Sequence, residues 1–123
     1  MYKLNVTSKF SAAHRLVEYP GACARIHGHN WTVKVSVVAE NVDENGMVMD
    51  LVELKQMIDR CISQFDHCVI NDVSPFDTLN PTSENIAKYL YDYVAERIDL
   101  SVHAVEVAEV DDYSVVYSPE KQI

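Results

Sequence analysis

The sequence predicts an α+β domain of element order ββααββ, in which two helices cover one face of a four-stranded antiparallel sheet. Polar and apolar residues alternate with period two over residues 2–13 and 27–40, which indicates two long strands. Two apolar stripes at helical spacing follow. Two shorter strands, 102–110 and 113–117, complete the order, joined by a tight turn. With 123 residues and no low-complexity run, we expect a single domain spanning 1–123.

The first two strands are expected to form a long hairpin. Leu4, Val6 and Phe10 alternate with polar residues, and the polar stretch between Val6 and Phe10 predicts a change of register near residues 7–9, such as a β-bulge. The second strand is rich in valine, which favours a sheet. The connection between them, residues 16–24, is long for a hairpin, and connections of this length often carry function.

The middle of the chain is expected to form two helices. Asp50 suits the N-cap of the first, with Glu53 at capping-box spacing, after a short strand at 47–49. The second begins near Thr82 and runs to about Ile98. Each helix has one apolar stripe for packing against the sheet, comprising Leu51, Leu54, Ile58, Cys61, Ile62 and Phe65 in the first and Ile86, Leu90, Tyr93, Val94 and Ile98 in the second.

The edges of such a sheet predict self-association. Four main strands are too few to close a barrel, so two edges would keep unpaired backbone groups. Exposed edges of this kind pair readily with another chain. We therefore expect a symmetric homo-oligomer that continues the sheet between subunits.

The amino-acid composition disfavours some classes of binding partner and indicates the cellular compartment. Ten Lys and Arg against nineteen Asp and Glu give a formal net charge of −9, which disfavours nucleic acid because phosphate binding depends on basic side chains. No apolar run is long enough to span a bilayer, and no basic cluster suggests a membrane surface. Three irregularly spaced cysteines do not resemble a disulfide framework, and the first residues lack a signal-peptide pattern. We therefore expect a cytoplasmic location.

Three histidines form the clearest candidate site. His27 and His29 are two residues apart on a predicted strand, so their side chains lie on the same face. Antiparallel pairing with the first strand brings His14 alongside them. Three neutral imidazoles suit Zn²⁺ and leave its fourth position for water or substrate, as in catalytic zinc sites. The alternative is that these histidines bond to the backbone or lie at the surface.

Three further residues are candidates for proton transfer. Cys23 lies in the loop before His27, where its thiol could act as a base on a substrate beside the metal. Free cysteines are, however, often simply buried. Asp66 directly precedes His67, and a carboxylate can orient an imidazole for proton transfer. Such a pair also occurs at helix ends without a catalytic role, since a histidine interacts well with the helix dipole.

A carboxylate on the third strand is a candidate binding residue. Glu109 continues the row of Val105 and Val107, so it either lies at the exposed end of the strand or binds something. The two remaining cysteines, Cys61 on a helix stripe and Cys68 in a loop, are expected to have no chemical role.

Five segments, in order along the chain, carry a family resemblance. They are FSAAH, CARIHGH, FDHCVIND, PTSENIA and the strand residue Glu109 followed by Tyr117. Together they resemble the 6-pyruvoyl-tetrahydropterin synthase / 6-carboxytetrahydropterin synthase family. The resemblance implies a tunnelling (T-) fold, trimers whose sheets join into a barrel, and two trimers stacked as a hexamer. Three residues between Cys23 and His27 are typical of the 6-carboxytetrahydropterin synthases of queuosine biosynthesis, whereas five are typical of the 6-pyruvoyl enzymes.

The resemblance also implies a role for each candidate. The implied residues are His14, His27 and His29 for Zn²⁺, Cys23, Asp66 and His67 for catalysis, and Glu109, Thr82 and Ser83 for the pterin. The Asp-His pair would come from a neighbouring subunit, so the active sites would lie at subunit interfaces. The implied reaction is that of a lyase that converts 7,8-dihydroneopterin triphosphate to 6-carboxy-5,6,7,8-tetrahydropterin, acetaldehyde and triphosphate. Lys9, Arg15 and Arg25 are the nearby candidates for triphosphate contact.

Other functions stay open at this point. A 6-pyruvoyl-tetrahydropterin synthase or a sepiapterin-cleaving paralogue would use the same zinc and thiol. A non-catalytic zinc or pterin-binding module is an alternative of another class, although binding alone needs neither Cys23 nor the Asp66-His67 pair. A structural oligomer with chance histidines would hold no stoichiometric zinc.

Overall fold

The computed structural model describes residues 1–123, which form four strands and two α-helices in the predicted order ββααββ. The strands are β1 (Tyr2–His14), β2 (His27–Ala39), β3 (Ser101–Val110) and β4 (Tyr113–Tyr117), and the helices are α1 (Leu51–Ile62) and α2 (Ser83–Ala95). Neighbouring strands pair antiparallel in the order β1-β2-β3-β4. No helix has both the length and the apolar character that crossing a membrane requires.

The β1-β2 pairing positions the candidate site. These strands pair without interruption along their whole length and end with His14 opposite His27. The bulge predicted near residues 7–9 is therefore wrong. Ser8 instead continues the buried row, because its hydroxyl donates a hydrogen bond to Asp59 at 2.6 Å. The register shifts that the sheet does contain lie in the other two strand pairs.

Both helices pack on the same face of the sheet, as predicted. α1 lies against β1, and α2 lies against β3 and β4. The centre of this face is the row Trp31, Val33, Val35 and Val37 of β2, whose side chains are fully buried. Burial of this apolar row is a main favourable contribution to folding. On the opposite face, the side chains of β1 from Lys3 to Lys9 are polar and exposed.

The helix starts follow the predicted caps. The Asp50 carboxylate accepts a hydrogen bond from the backbone N–H of Val52 at 2.8 Å. The Thr82 hydroxyl accepts one from the backbone N–H of Asn85 at 3.1 Å. Each cap satisfies a donor of the first helical turn that has no acceptor within the helix. The start of α2, which lies beside the candidate site, is thereby fixed.

One predicted strand and one predicted helix end are wrong. Residues 47–49 do not form a strand, because the Asp43 carboxylate accepts from the backbone N–H groups of Asn45 and Met47 and folds this segment into a turn. Helix α2 ends at Ala95 rather than near Ile98. Ile98 still packs against the core from the segment that leads into β3.

Candidate active site

The three predicted metal ligands meet at one end of the helix-covered face, and Glu109 joins them. The possible ligand atoms of His14, His27, His29 and Glu109 all lie within 4.8 Å of one another. His14 is almost completely buried, at 2% exposure, and the other three are half-buried. The cross-strand pair His14-His27 and the same-face spacing of His29 produce this cluster directly from the β1-β2 register.

Hydrogen bonds to the backbone determine which ring nitrogen can bind a metal. His14 Nδ1 donates to the carbonyl oxygen of Pro81 at 2.8 Å, and His27 Nδ1 donates to that of Arg25 at 2.7 Å. A carbonyl oxygen can only accept, so the proton lies on Nδ1 and Nε2 presents a lone pair. The Nε2 atoms of His14 and His29 are buried and have no hydrogen-bond donor. Buried lone pairs that converge in this way fit a zinc ion.

Burial also favours the neutral form of the His14 and His29 imidazoles, which is the form that can bind a metal. Desolvation lowers the pKa of His14 and of His29 below the ordinary histidine value, and the neighbouring histidines lower it further. The hydrogen bond to Pro81 for His14, and the charge of Glu109 for both residues, act in the opposite direction. The net effect keeps both imidazoles neutral near pH 7, and neutral imidazole is the form that binds a metal.

A cavity of about 340 Å³ joins the cluster to the candidate thiol and to the start of α2. Its walls include His14, Cys23, Thr82, Ser83 and Glu109, which are five of the nine predicted site residues. Cys23 lies in a short 3-10 turn, Ala22–Ala24, whose position is fixed by a 2.7 Å hydrogen bond from the backbone N–H of Leu16 to the Cys23 carbonyl. Its sulfur does not belong to the metal cluster.

The start of α2 forms part of the wall of this cavity. The Thr82 hydroxyl is engaged as an N-cap acceptor. The backbone N–H groups of Ser83 and Glu84 have no acceptor within the helix, because they belong to its first turn. Both residues line the cavity, at the end of the helix that carries the positive end of its dipole.

The Asp66-His67 pair forms as predicted but lies outside this cavity. Asp66 Oδ1 is 3.0 Å from His67 Nδ1 and also accepts from the backbone N–H of Ser11 at 3.0 Å. His67 adopts a left-handed backbone, with φ of 59°, and its side chain is 80% exposed. It lines a second, more open cavity of about 480 Å³ together with Ser11, Gly28 and His29, the last of which belongs to the histidine cluster. The two cavities share no residue.

The Asp66 carboxylate accepts a hydrogen bond from the backbone N–H of Ser11. Together with the contact to His67, this bond lowers the pKa of Asp66 below the usual range. The carboxylate therefore stays ionised and orients the imidazole through Nδ1. A non-glycine residue in the left-handed region is strained, and such strain is frequent at functional positions.

The three basic residues expected near the triphosphate lie away from the cavity. Lys9 is on the face of β1 opposite the histidines, and neither Arg15 nor Arg25 is among the twelve residues that line the cavity. Arg25 contributes only its backbone carbonyl, to His27. The cavity within one chain contains no lysine or arginine and thus suits an uncharged group better than a phosphate.

The other two cysteines differ in their surroundings, and the absence of a chemical role for them stays a prediction. Cys61 is buried on the inner side of α1, and burial raises the pKa of its thiol to about 12. Cys68 is exposed, and its thiol lies 3.4 Å from the Asp66 carbonyl oxygen. Neither contributes to the histidine cluster.

Sequence reasoning missed the residues that hold the site together. Pro81 fixes the His14 tautomer through its carbonyl. The Asn80 side chain accepts from the backbone N–H of Val17, at 2.9 Å, and so ties the Cys23 loop to the start of α2. Asn71 both accepts from and donates to the backbone of Arg15. Asn80 precedes Pro81, and this dipeptide indicates a turn. No sequence pattern, however, predicts that Asn80 bonds to Val17, more than sixty residues earlier in the chain.

Taken together, the sheet, the two helices and the histidine cluster define a T-fold protein with a candidate metal centre beside a free thiol. Residues 3–120 match the family described as 6-pyruvoyl tetrahydropterin synthase. The chain belongs to this family.

Individual relatives are similar over nearly the whole chain. The putative 6-carboxy-5,6,7,8-tetrahydropterin synthase of Archaeoglobus fulgidus is 39% identical over 111 residues, with 89% of each chain covered. The human 6-pyruvoyl tetrahydrobiopterin synthase is 36% identical, with 90% of this chain and 87% of the human protein covered. The structure of Caenorhabditis elegans 6-pyruvoyl tetrahydropterin synthase superposes with a TM-score of 0.86 at 30% identity and covers 97% of this chain and 96% of that one.

Proposed function

We propose that this protein is a zinc-dependent lyase that converts 7,8-dihydroneopterin triphosphate to 6-carboxy-5,6,7,8-tetrahydropterin, acetaldehyde and triphosphate, with consumption of water. The observation that carries this proposal is the single cavity lined by His14 of the metal cluster, the free thiol of Cys23 and the carboxylate of Glu109. The similarity to the Archaeoglobus protein and the three-residue interval between Cys23 and His27 support the carboxy product. A role in queuosine biosynthesis follows from that product.

Substrate binding is assigned to Glu109 and the start of α2. A carboxylate can accept two parallel hydrogen bonds from the guanidine-like edge of a pterin, which is a planar pair of donors. Thr82 and Ser83 line the same cavity as this carboxylate. The lack of basic residues in the wall agrees with an uncharged pterin inside the cavity and a triphosphate directed outwards.

Proton transfer is assigned to Cys23 and to the Asp66-His67 pair. Zn²⁺ held by His14, His27 and His29 would act as a Lewis acid that polarises the side-chain hydroxyls of the substrate. Cys23, as thiolate, removes a proton from the substrate side chain on one face. His67, oriented by Asp66, holds or returns a proton on the other face.

The separation of the two cavities supports an active site shared between subunits. Within one chain the Asp66-His67 pair does not reach the cavity of Cys23. We infer that residues 1–123 act as one domain of a cytoplasmic homo-oligomer, built as two stacked trimers whose sheets join at the β1 and β4 edges. This arrangement places the pair of one subunit beside the thiol of the next and covers both edges.

Product analysis tests the proposed reaction. Purified protein, with its zinc content measured, is incubated with dihydroneopterin triphosphate, and the products are identified by mass spectrometry. We expect 6-carboxytetrahydropterin and acetaldehyde in equal amounts, from protein that holds one zinc per chain. Tight pterin binding without turnover would reject the lyase in favour of a binding module.

A 6-pyruvoyl-tetrahydropterin synthase is the second candidate. The human relative of that name is nearly as similar as the archaeal one and is matched over a comparable share of the chain. This enzyme would eliminate triphosphate but retain the carbon side chain. The same assay distinguishes the two, because a pyruvoyl product would appear without acetaldehyde.

A further inference from the structure

The surroundings of Glu109 indicate more than a contact with the pterin. Its Oε2 atom lies 3.2 Å from His29 Nε2 and 3.4 Å from His14 Nε2. The side chain is only 25% exposed, and no lysine or arginine forms a salt bridge with it. The carboxylate of Glu109 is therefore directed at the metal ligands themselves.

The contact between Glu109 and His14 needs a cation to be favourable. His14 Nδ1 donates to Pro81, so the Nε2 atom facing Glu109 carries a lone pair. A lone pair and a carboxylate oxygen at 3.4 Å repel one another unless a positive charge lies between them. The buried Nε2 atoms of His14 and His29 have no hydrogen-bond donor. A metal ion that accepts electron pairs from all three atoms removes the repulsion.

The distances also match the geometry of a bound zinc ion. With zinc-ligand bonds of about 2.0–2.1 Å, neighbouring ligand atoms of a tetrahedral site are roughly 3.3 Å apart. Both distances from Glu109 Oε2 to ring nitrogens have this length. The carboxylate oxygen thus occupies the place of a ligand beside the two imidazoles.

We propose that Glu109 is the fourth ligand of the metal ion when no substrate is bound, and that it leaves the ion when a pterin enters. Its oxygen then accepts hydrogen bonds from the pterin, and the vacated position becomes available to a substrate oxygen. The second half of this proposal rests on the proposed function. The consequence is a metal centre that is closed at rest and opened by its own substrate.

Substitution with cobalt tests the ligand assignment, because the visible absorption of Co²⁺ reports its coordination. The variants are Glu109→Gln, which keeps the size of the side chain but weakens it as a ligand, and Glu84→Gln as a matched control in the same cavity wall. We expect Glu109→Gln to change the Co²⁺ spectrum and to weaken Zn²⁺ binding at least about tenfold in competition with a chelator. Glu84→Gln should change neither. Equal spectra and equal Zn²⁺ affinity for wild type and Glu109→Gln would overturn the assignment.

Addition of neopterin tests the exchange of ligands. We expect neopterin to shift the Co²⁺ spectrum of the wild type and to have a much smaller effect on Glu109→Gln. A spectrum that stays unchanged while neopterin fluorescence shows binding would refute the exchange. Failure of neopterin to bind would count against the proposed function and against the exchange. The comparison of metal spectra would then still decide whether Glu109 is a ligand.

Discussion

The Nδ1 atom of His14, the last residue of β1, donates a 2.8 Å hydrogen bond to the carbonyl oxygen of Pro81, just before α2. The tautomer of an imidazole on the sheet is thus set by the backbone carbonyl of a residue just before a helix. Because the proton is held on Nδ1, the buried Nε2 atom can act only as an acceptor or a metal ligand. The geometry of the candidate metal centre therefore depends on the packing of α2 against the sheet as well as on the strand register.

Removal of this ligand should release the metal. His14→Gln removes one of three imidazoles, so we expect the affinity for Zn²⁺ to fall by more than about 100-fold. Chelator competition measures the affinity, and circular dichroism verifies that the variant is folded. His103→Gln is the matched control, since this half-buried histidine lies near Glu120, far from the cluster. Stoichiometric zinc of unchanged affinity in His14→Gln would contradict the ligand set.

The Asn80 side chain should position the thiol. Its Oδ1 atom holds the backbone N–H of Val17 in the loop that carries Cys23. Asn80→Ala removes this acceptor, so we expect kcat to fall at least about tenfold with little change in KM, because the thiol is misplaced. Asn80→Asp retains an acceptor oxygen and should restore most of the activity. A purely structural role predicts that Asn80→Ala lowers the stability along with the activity and changes KM as well as kcat, and thermal unfolding measured alongside would reveal that outcome.

Mixing of inactive subunits should restore activity if the site is shared. Cys23→Ala and His67→Ala should each lower kcat by about 100-fold or more while zinc stays bound, because each removes a group that transfers a proton. In an oligomer reassembled from equal amounts of both, about a quarter of the sites would combine an intact thiol with an intact imidazole.

The regain of activity on mixing is the measurement for this prediction. Cys61→Ala is a thiol control and should retain activity, as its buried sulfur on α1 is outside the histidine cluster and outside both cavities. No regain after verified subunit exchange would place both groups in the same chain and refute the shared site.

The pair Ser114-Glu106 should make stability depend on pH. The Ser114 hydroxyl donates to Glu106 at 2.6 Å, and this bond, with the charge of Lys34, lowers the pKa of the carboxyl. A lowered pKa stabilises the fold above the ordinary glutamate value, and this stabilisation is lost as pH falls through the folded value. Ser114→Ala should therefore lower the free energy of unfolding by less than about 1 kcal/mol at pH 7, since the pair is partly solvated.

This difference between Ser114→Ala and the wild type should shrink towards zero in acid. Urea unfolding at pH 7 and near pH 3 measures it. Ser118→Ala is the control, because its hydroxyl donates to the uncharged carbonyl of His103. Its effect should stay about constant with pH. An equally constant effect for Ser114→Ala would show that Glu106 is not the partner that matters.

The sequence by itself determined the order of elements and most of the cluster. Period-two alternation and helical stripes gave the bounds of the long elements within a few residues, because buried faces impose these periods. Two histidines at i and i+2 face the same side in any strand, and His14 follows from antiparallel pairing with β2. Local exceptions misled the prediction, as at Ser8, where a hydrogen bond to Asp59 made a polar residue compatible with burial.

Only the tertiary structure decided which distant groups meet. It brought Glu109 within 3.4 Å of two ring nitrogens, set the Pro81 carbonyl against His14 and placed the Asp66-His67 pair outside the cavity of Cys23. Such contacts depend on how loops and helices pack over long separations in sequence. Local patterns encode the face on which a side chain lies but do not encode its partner across the fold.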